Sequence, residues 1–419
     1  MTSGPTGPRH SRRLLLLASA VAGFAFFVRW LGLPASPAAI PLRVDAIEYE
    51  ALAFRLSSGH GFTSVMDDPR LYAPLGQPTA FRTPGLPLYG ALVYELTGRR
   101  PDLVAWSLAL VDALAAAALF LSARAVFGPG VGWIAGLAWA IWPDVLRRAR
   151  DPAEWWLAES LSVPLVIFAL AALGLPCRLE IKAALSGILL GASLLARPHP
   201  APMLPLALGV GLLLARGRRR TIAAWLLLVA LAALPSLAWA ARNRARVGLF
   251  SVSSQAGVAL WVGNNETARG SSRGGWWESP ELRALAERHP ELLTAGEGTK
   301  SQIYTHEALA SVRRHGLARF LWLESRKLAL FFYPVDADWG FLPGVAASLA
   351  LAPFGLAAFW RRRERMETTF LATLAAGALS TTLICFYETR YRFAAMPAFV
   401  ILGALGLERL AGAIRRRSW

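Results

Sequence analysis

The sequence predicts an all-α integral membrane protein with about ten transmembrane helices and two large loops on the outer face. Three observations carry this expectation. Hydrophobic residues make up 55% of the chain and charged residues 17%, with a mean hydropathy of +0.42, whereas a soluble domain carries about a quarter charged residues. The apolar residues come in blocks of about 15 to 22, a length that suits a bilayer core about 30 Å thick. Arginines gather between the blocks, as they do in loops on the cytoplasmic side of a membrane.

Each element follows in order. Arg9, Arg12 and Arg13 precede an apolar run from Leu14 to about Leu33, which reads as a retained signal-anchor with its N-terminus inside. The small triplet Ala18-Ser19-Ala20 comes too early in that run to be a cleavage site. Residues 34–102 form a first outer loop, whose first part is too polar to span: it holds Asp45, Glu48, Glu50, His60, Asp67, Asp68 and Arg82. The amphipathic stretch Pro84–Thr97 within it is expected to lie along the interface. Spans are expected at 103–123, 129–143, 157–174, 183–196, 201–215 and 221–241. A second outer loop covers 242–338, and the last spans fall at 342–360, 368–387 and 393–412.

The chain is thus a single polytopic domain over residues 1–419, with both termini in the cytoplasm. Arg216-Gly217-Arg218-Arg219-Arg220, Arg361-Arg362-Arg363-Glu364-Arg365 and Arg415-Arg416-Arg417 fall on the inner side and agree with the threading. Arg147, Arg148 and Arg150 fall on the outer side, so the conflict with the charge rule is confined to residues 83–150.

The balance of 44 Lys+Arg against 27 Asp+Glu gives a net charge of +17. Its clustering beside apolar blocks points to anionic lipid rather than nucleic acid. Cys177 and Cys385 make neither a disulfide framework nor a thiolate metal site. His289, His306 and His315 lack metal-ligand spacing and read as solvated loop positions. No inverted repeat or pair of broken helices marks a secondary transporter.

Several residues could carry chemistry. If Asp45 starts a short helix, Asp45, Glu48 and Tyr49 share one face at i, i+3 and i+4. The same spacing is a helix-capping pattern, and an acid beside the membrane can also serve as a general base. Asp151-Pro152-Ala153-Glu154 looks like a helix start, with Trp155 and Trp156 fitting an interfacial belt. Glu159 follows one turn further in, either favoured by the helix dipole or functional. Asp112, deep in an apolar block, reads as a functional acid or as a bond to a neighbouring helix. Arg82, Arg197, Arg242, Lys327, Arg390 and Arg392 collect where outer loops meet the membrane, with Asn243 beside Arg242. Each cation could snorkel to anchor a helix end; together they suit phosphate oxygens. Gly263-Asn264-Asn265 and Gly274-Gly275-Trp276-Trp277 in the second loop offer weak carbohydrate-type signals.

Taken jointly, these motifs resemble the C-type glycosyltransferases, specifically the bacterial relatives of protein mannosyltransferases and aminoarabinose transferases. Five stretches, spread over most of the chain, carry the likeness. They are Asp45-Ala-Ile-Glu-Tyr49 running to Ser58-Gly-His-Gly-Phe62, Phe81-Arg-Thr-Pro-Gly-Leu-Pro87, Leu157-Ala-Glu159-Ser-Leu161, Ala241-Arg-Asn243 with Leu260-Trp-Val-Gly-Asn-Asn265, and Glu388-Thr-Arg-Tyr-Arg392. Leu86 stands where many relatives have Tyr.

The resemblance implies transfer of a sugar from a polyprenyl-phosphate-linked donor to an acceptor hydroxyl at the outer face of a bacterial cytoplasmic membrane, with inversion. It places the essential acid on Asp45 and a second acid on Glu159, with Asp144 and Asp151 nearby, and leaves room for a divalent cation. Glu48, Tyr49, Asn243 and the interfacial cations would bind substrate. The acceptor would be a glycan, a lipid or a protein. A flippase of lipid-linked sugars and a non-catalytic envelope scaffold are the rival readings. The threading predicts that cysteines introduced near residues 45 and 218 are labelled from opposite sides of the membrane; labelling of both from one side defeats it.

Overall fold

The computed structural model describes residues 8–33, 42–43, 45–143, 146, 151–272, 278–333, 335–336 and 340–417. Every predicted apolar block holds a helix: Pro8–Trp30, Pro101–Phe127, Pro129–Ala140, Glu159–Leu173, Leu179–Ala196, Met203–Ala215, Arg219–Val247, Pro343–Trp360, Met366–Ile384 and Met396–Arg417. Among the described residues, six segments are long and apolar enough to cross a membrane: Arg12–Trp30, Pro101–Phe127, Leu179–Ala196, Arg219–Val247, Pro343–Trp360 and Thr389–Arg416. Glu159–Leu173 and Met203–Ala215 are shorter apolar helices. Arg147, Arg148 and Arg150, where the threading conflicts with the charge rule, lie outside the described residues, as do Asp144 and the Gly274–Trp277 motif.

The most extensive helix pairings skip a helix in the sequence: Leu179–Ala196 lies along Arg219–Val247 and Pro343–Trp360 along Met396–Arg417, while Glu159–Leu173 packs on its neighbour Leu179–Ala196. One continuous apolar core runs through the bundle, from Val21 and Phe120 to Trp225, Phe370 and Val400. Many helix faces turned away from it carry exposed Leu and Phe, as in Leu15, Leu213, Leu234 and Leu356. That pattern suits a bundle whose outer surface meets hydrocarbon.

Asp112 has a neighbour that sequence spacing does not reveal. Arg29 of the first helix donates from Nε to Asp112 Oδ2 at 2.8 Å, and Trp139 Nε1 donates to Oδ1 at 3.3 Å. The remaining Arg29 donors reach the carbonyls of Ala25 and Ala140 at 2.7 and 3.2 Å. Three helices are thereby joined by one buried pair, with 0% and 1% of the two side chains exposed.

The described parts of the two long segments expected to be outer loops, 34–102 and 242–338, are folded rather than loose. The first contains the helices Asp45–Ser57 and Gly85–Thr97. The second is largely helical: Arg219–Val247 runs on past Arg242, and Gln255–Asn264, Pro280–Arg288 and Glu297–Phe332 follow. The last of these breaks at Gly316, whose φ of 71° is open to glycine without strain. A short antiparallel ribbon, Val335–Asp336 with Gly340–Phe341, closes the segment.

One expectation is corrected here. Trp155 and Trp156 do not form an interfacial belt, because both are fully buried, at 0% exposure, in a 3-10 turn over Pro152–Trp156. Trp156 packs on Tyr94 and donates to the Pro101 carbonyl at 3.1 Å, so its N–H is satisfied inside the protein rather than at a headgroup.

Removing Arg29 alone would strand a buried carboxylate. Arg29→Ala is expected to cost roughly 3–5 kcal/mol, with most of the loss recovered when Asp112→Leu is added. Unfolding in detergent of both single variants and the double variant checks this.

Candidate active site

Asp45 opens its helix, which places Asp45, Glu48 and Tyr49 on one side. The loop carrying Arg82 is fixed just before the next helix. Thr83 Oγ1 donates to the Ala196 carbonyl at 2.7 Å, and Gly85 lies against the Ala196 backbone, leaving no room for a side chain. The contact brings the Arg82 loop to the end of the Leu179–Ala196 helix, where Arg197 follows. From the far end of the sequence, Arg390 arrives in the first turn of the Thr389–Arg392 helix.

These stretches meet at the Asp45 carboxylate. Arg82 Nη2 donates to Asp45 Oδ1 at 2.7 Å, and Arg390 Nη1 donates to Oδ2 at 2.9 Å. Arg82 also donates from Nε to Glu48 Oε2 at 2.7 Å, so one guanidinium spans both acids. Tyr72 donates its hydroxyl to the same Glu48 oxygen at 3.3 Å, and Arg390 Nε donates to Glu388 Oε1 at 2.6 Å. The Arg82 guanidinium lies 5.3 Å from the centre of the buried Tyr49 ring.

The two acids titrate in opposite directions. Burial pushes the Asp45 carboxyl up, but Arg82 and Arg390 outweigh it and hold the group well below the usual carboxylate range. At Glu48 burial prevails over the pull of Arg82, and its pKa is raised. Adjacent carboxyls driven apart in this way are a mark of divided acid and base roles.

A second group adjoins the first. Glu159, 1% exposed, sits 2.6 Å from Arg197 Nη1. The Arg197 guanidinium faces the Tyr391 ring at 5.4 Å, and the His199 ring lies 3.7 Å from the same ring. Burial, then the positive charge of Arg197 and Arg390, holds His199 well below its ordinary pKa, so its imidazole is neutral at pH 7. Beyond that ion pair, Glu159 Oε2, Arg197 Nε and His199 Nδ1 are buried without a hydrogen-bond partner. Most buried polar groups in proteins are paired, so these three atoms stand out.

The other predicted site residues bond elsewhere. Arg242 donates to the carbonyls of Thr79 and Phe62 at 2.6 and 3.0 Å, and Asn243 to that of Ser251 at 2.8 Å. Lys327 donates to Glu324, Asn264 and the Leu383 carbonyl at 2.7, 3.0 and 2.7 Å. Arg392 donates to the carbonyls of Phe331 and Tyr333 at 3.0 and 2.9 Å. These contacts tie the segments 34–102 and 242–338 to the helix bundle.

Sequence reasoning missed Tyr72, His199 and Glu297. Glu297 accepts from Ala73 N, Thr79 Oγ1, Ala80 N and Ser254 Oγ at 3.0, 2.6, 2.7 and 3.0 Å. Three of those partners lie more than 200 residues away, and no local pattern announces them. His199 did carry a faint signal: it sits in Arg197-Pro198-His199-Pro200, where a span ends.

Asp45, Glu48 and Glu388 are each engaged by arginine. Among the described residues no three His, Cys, Asp or Glu side chains stand together as a metal-ligand set. The donor arrangement therefore does not fit a divalent cation, and no step is assigned to one.

No family model matches the chain, and no curated protein matches it. Solved structures do. Archaeal oligosaccharyltransferase AglB from Archaeoglobus fulgidus, in complex with an inhibitory peptide and a dolichol-phosphate, matches over 98% of this chain and 52% of its own, with 15% identity and a TM-score of 0.56. The apo form of the Archaeoglobus fulgidus oligosaccharyltransferase matches over 96% and 52%, with 15% identity and a TM-score of 0.58. ArnT from Cupriavidus metallidurans, bound to undecaprenyl phosphate, reaches a TM-score of 0.39 at 14% identity over 95% and 78% of the two chains, too low to bear on the fold. The chain spans about half the length of the oligosaccharyltransferase structures. At this identity the likeness concerns architecture: the chain has the C-type membrane glycosyltransferase fold that its motifs led one to expect.

Arg82 holds two carboxylates through a planar fork, which a lysine ammonium cannot span. Arg82→Lys is therefore expected to destabilise the protein by about 3 kcal/mol, while Arg178→Lys, in an exposed pair with Glu180, leaves stability unchanged. Thermal unfolding of the two variants in detergent makes the comparison.

Proposed function

We propose that this protein is a glycosyltransferase that moves a sugar from a polyprenyl-phosphate-linked donor to an acceptor hydroxyl. The observation that carries this reading is the Asp45 carboxylate gripped on both oxygens by arginines from opposite ends of the sequence. It is supported by the shared fold with an oligosaccharyltransferase solved with dolichol-phosphate.

In this reading Arg82, Arg390 and Arg197 form the phosphate-binding surface. Their guanidinium groups present forked donors that match phosphate oxygens, and an arriving phosphate competes with the carboxylates now holding them. The anomeric carbon–oxygen bond to the phosphate breaks as the acceptor oxygen attacks, and the arginines stabilise the charge that develops on the departing lipid phosphate. A single displacement inverts the anomeric centre. Asp45, kept ionised by its arginines, orients the acceptor hydroxyl and draws its proton late, as the new bond forms. Glu48 and Glu159 tune the arginines.

The outer face of a bacterial cytoplasmic membrane is the natural place for this chemistry, with both termini on the cytoplasmic side, because nucleotide sugars stay inside and a lipid must carry the sugar out. A flippase reading loses its main support, since the mid-span acid Asp112 is neutralised by Arg29. A non-catalytic scaffold would have no use for a buried cluster of paired acids and arginines.

Purified protein given polyprenyl-phosphosugars and candidate acceptors tests the proposal. Asp45→Asn is expected to lower transfer about a hundredfold or more while lipid-phosphate binding survives; full activity in that variant removes the assignment. The pH profile supplies a further check. Because Asp45 is held low, it stays charged across the working range, and its ion pairs are lost only as pH falls through its depressed pKa. Glu48 is pushed up, so an acid limb in kcat/KM is expected above the ordinary glutamate range, and Glu48→Gln should remove it. A limb unchanged in that variant places the titration elsewhere.

A further inference from the structure

The long helix Glu297–Phe332 changes character at its break. Ahead of Gly316 it packs on its neighbours, with Tyr304 and Ala308 buried in the cluster that holds Trp261 and Leu282. Between Gly316 and Tyr333 only Leu323, Lys327 and Phe331 are buried. Much of the remainder turns apolar side chains outward: Leu317 is 70% exposed, Leu321 56%, Leu328 43% and Phe332 39%. These four recur at i, i+4, i+11 and i+15, which sets them on one stripe of the helix. A contiguous apolar surface of this kind marks an interaction face.

The position of the stripe says what covers it. Arg392, near the start of the membrane-length segment Thr389–Arg416, donates to the carbonyls of Phe331 and Tyr333 at 3.0 and 2.9 Å. Lys327 donates to the Leu383 carbonyl at 2.7 Å, in the last turn of Met366–Ile384. Residues 317–332 are therefore held level with the ends of two membrane helices. Phe331 and Phe332 reach further and pack on Phe399, with ring centres 6.2 and 6.3 Å away. From Arg392 to Phe399 the segment advances about 10 Å at 1.5 Å per residue. Helices that lie in a membrane interface bury their apolar faces to about 5–10 Å.

The charges fit the same partner. Between residues 311 and 333 the one acid is Glu324, and it pairs with Lys327 at 2.7 Å. Arg313 and Arg326 are exposed and pair with no acid among the described residues. Arg319 and Arg326 lie 4.3 and 5.1 Å from the centre of the exposed Trp322 ring. Tryptophan flanked by arginine suits the headgroup level, where the ring meets acyl chain and the cations meet phosphate.

We propose that residues 317–332 form an interfacial membrane anchor, with the apolar stripe seated in the bilayer and Arg313 and Arg326 bound to the phosphates of anionic lipid. The stretch 242–338, which the sequence presents as an outer loop, is thereby pinned to the membrane near its end. The anchor stands whether or not the protein transfers a sugar.

The test uses the full-length protein in nanodiscs of phosphatidylcholine and phosphatidylglycerol, with Cys177→Ser and Cys385→Ser removing the native thiols. Nitroxide labels are placed on Leu321→Cys and on Leu328→Cys. Leu234→Cys, exposed on a membrane-length helix, is the lipid-facing reference, and Glu287→Cys, exposed on the polar helix Pro280–Arg288, is the water-facing one. Each label is read for collision with oxygen and with a water-soluble nickel chelate. Labels at 321 and 328 that favour oxygen, as the one at 234 does, support the anchor. Labels that favour the chelate, as the one at 287 does, overturn it. Shielding from both reagents with dipolar broadening between labels shows a second copy on the stripe and overturns it. Chelate access that ends only when polyprenyl phosphate is added assigns the stripe to that lipid's tail and overturns it too. For the arginines, energy transfer from a fluorophore on Ser325→Cys compares acyl-labelled phosphatidylglycerol with phosphatidylcholine. About fivefold enrichment of phosphatidylglycerol, lost in Arg313→Gln with Arg326→Gln, supports the phosphate contact. Equal transfer to both lipids overturns that contact.

Discussion

A guanidinium group shared between two carboxylates organises the region around Asp45. Charges removed from water are costly unless each finds an oppositely charged partner with good geometry. Arg82 satisfies this requirement for Asp45 and Glu48 together, and Arg390 does the same for Asp45 and Glu388. The pairing also fixes the chain. Asp45 begins one helix, Arg82 ends a loop, and Arg390 lies beside the final span, so satisfying the charges forces these parts to meet.

The same rule acts a second time within the bundle, with a different result. Arg29 and Asp112 are fully enclosed, and the spare donors of Arg29 are absorbed by backbone carbonyls of two helices. Nothing there is left unmatched, as suits a mechanical joint. At Glu159, Arg197 and His199, by contrast, several buried polar atoms lack partners. The difference between a joint and a site lies less in residue type than in how completely the polar groups are satisfied.

Much of the architecture was legible because the bilayer imposes a simple code. Apolar run length and arginine placement marked each helical block, and the spacing of Asp45, Glu48 and Tyr49 announced a shared face. The pairing of Asp45 with Arg82 and Arg390 could be framed only through a family resemblance, since sequence spacing does not say which distant cation an acid will meet. Glu297 was invisible for a related reason: its partners are mostly backbone N–H groups and hydroxyls, present in any sequence. Trp155 and Trp156 misled because tryptophan near a span end suits an interfacial belt and a packed core equally well.

The Glu297 carboxylate ties the start of the long outer helix to the strip of chain just ahead of Arg82, and to Ser254 at the head of the next helix. The long helix and the acid–arginine cluster are consequently parts of one lever rather than two independent bodies. A push delivered to the start of that helix would be transmitted, through a handful of short bonds to a single side chain, toward Arg82 and the carboxylates it holds.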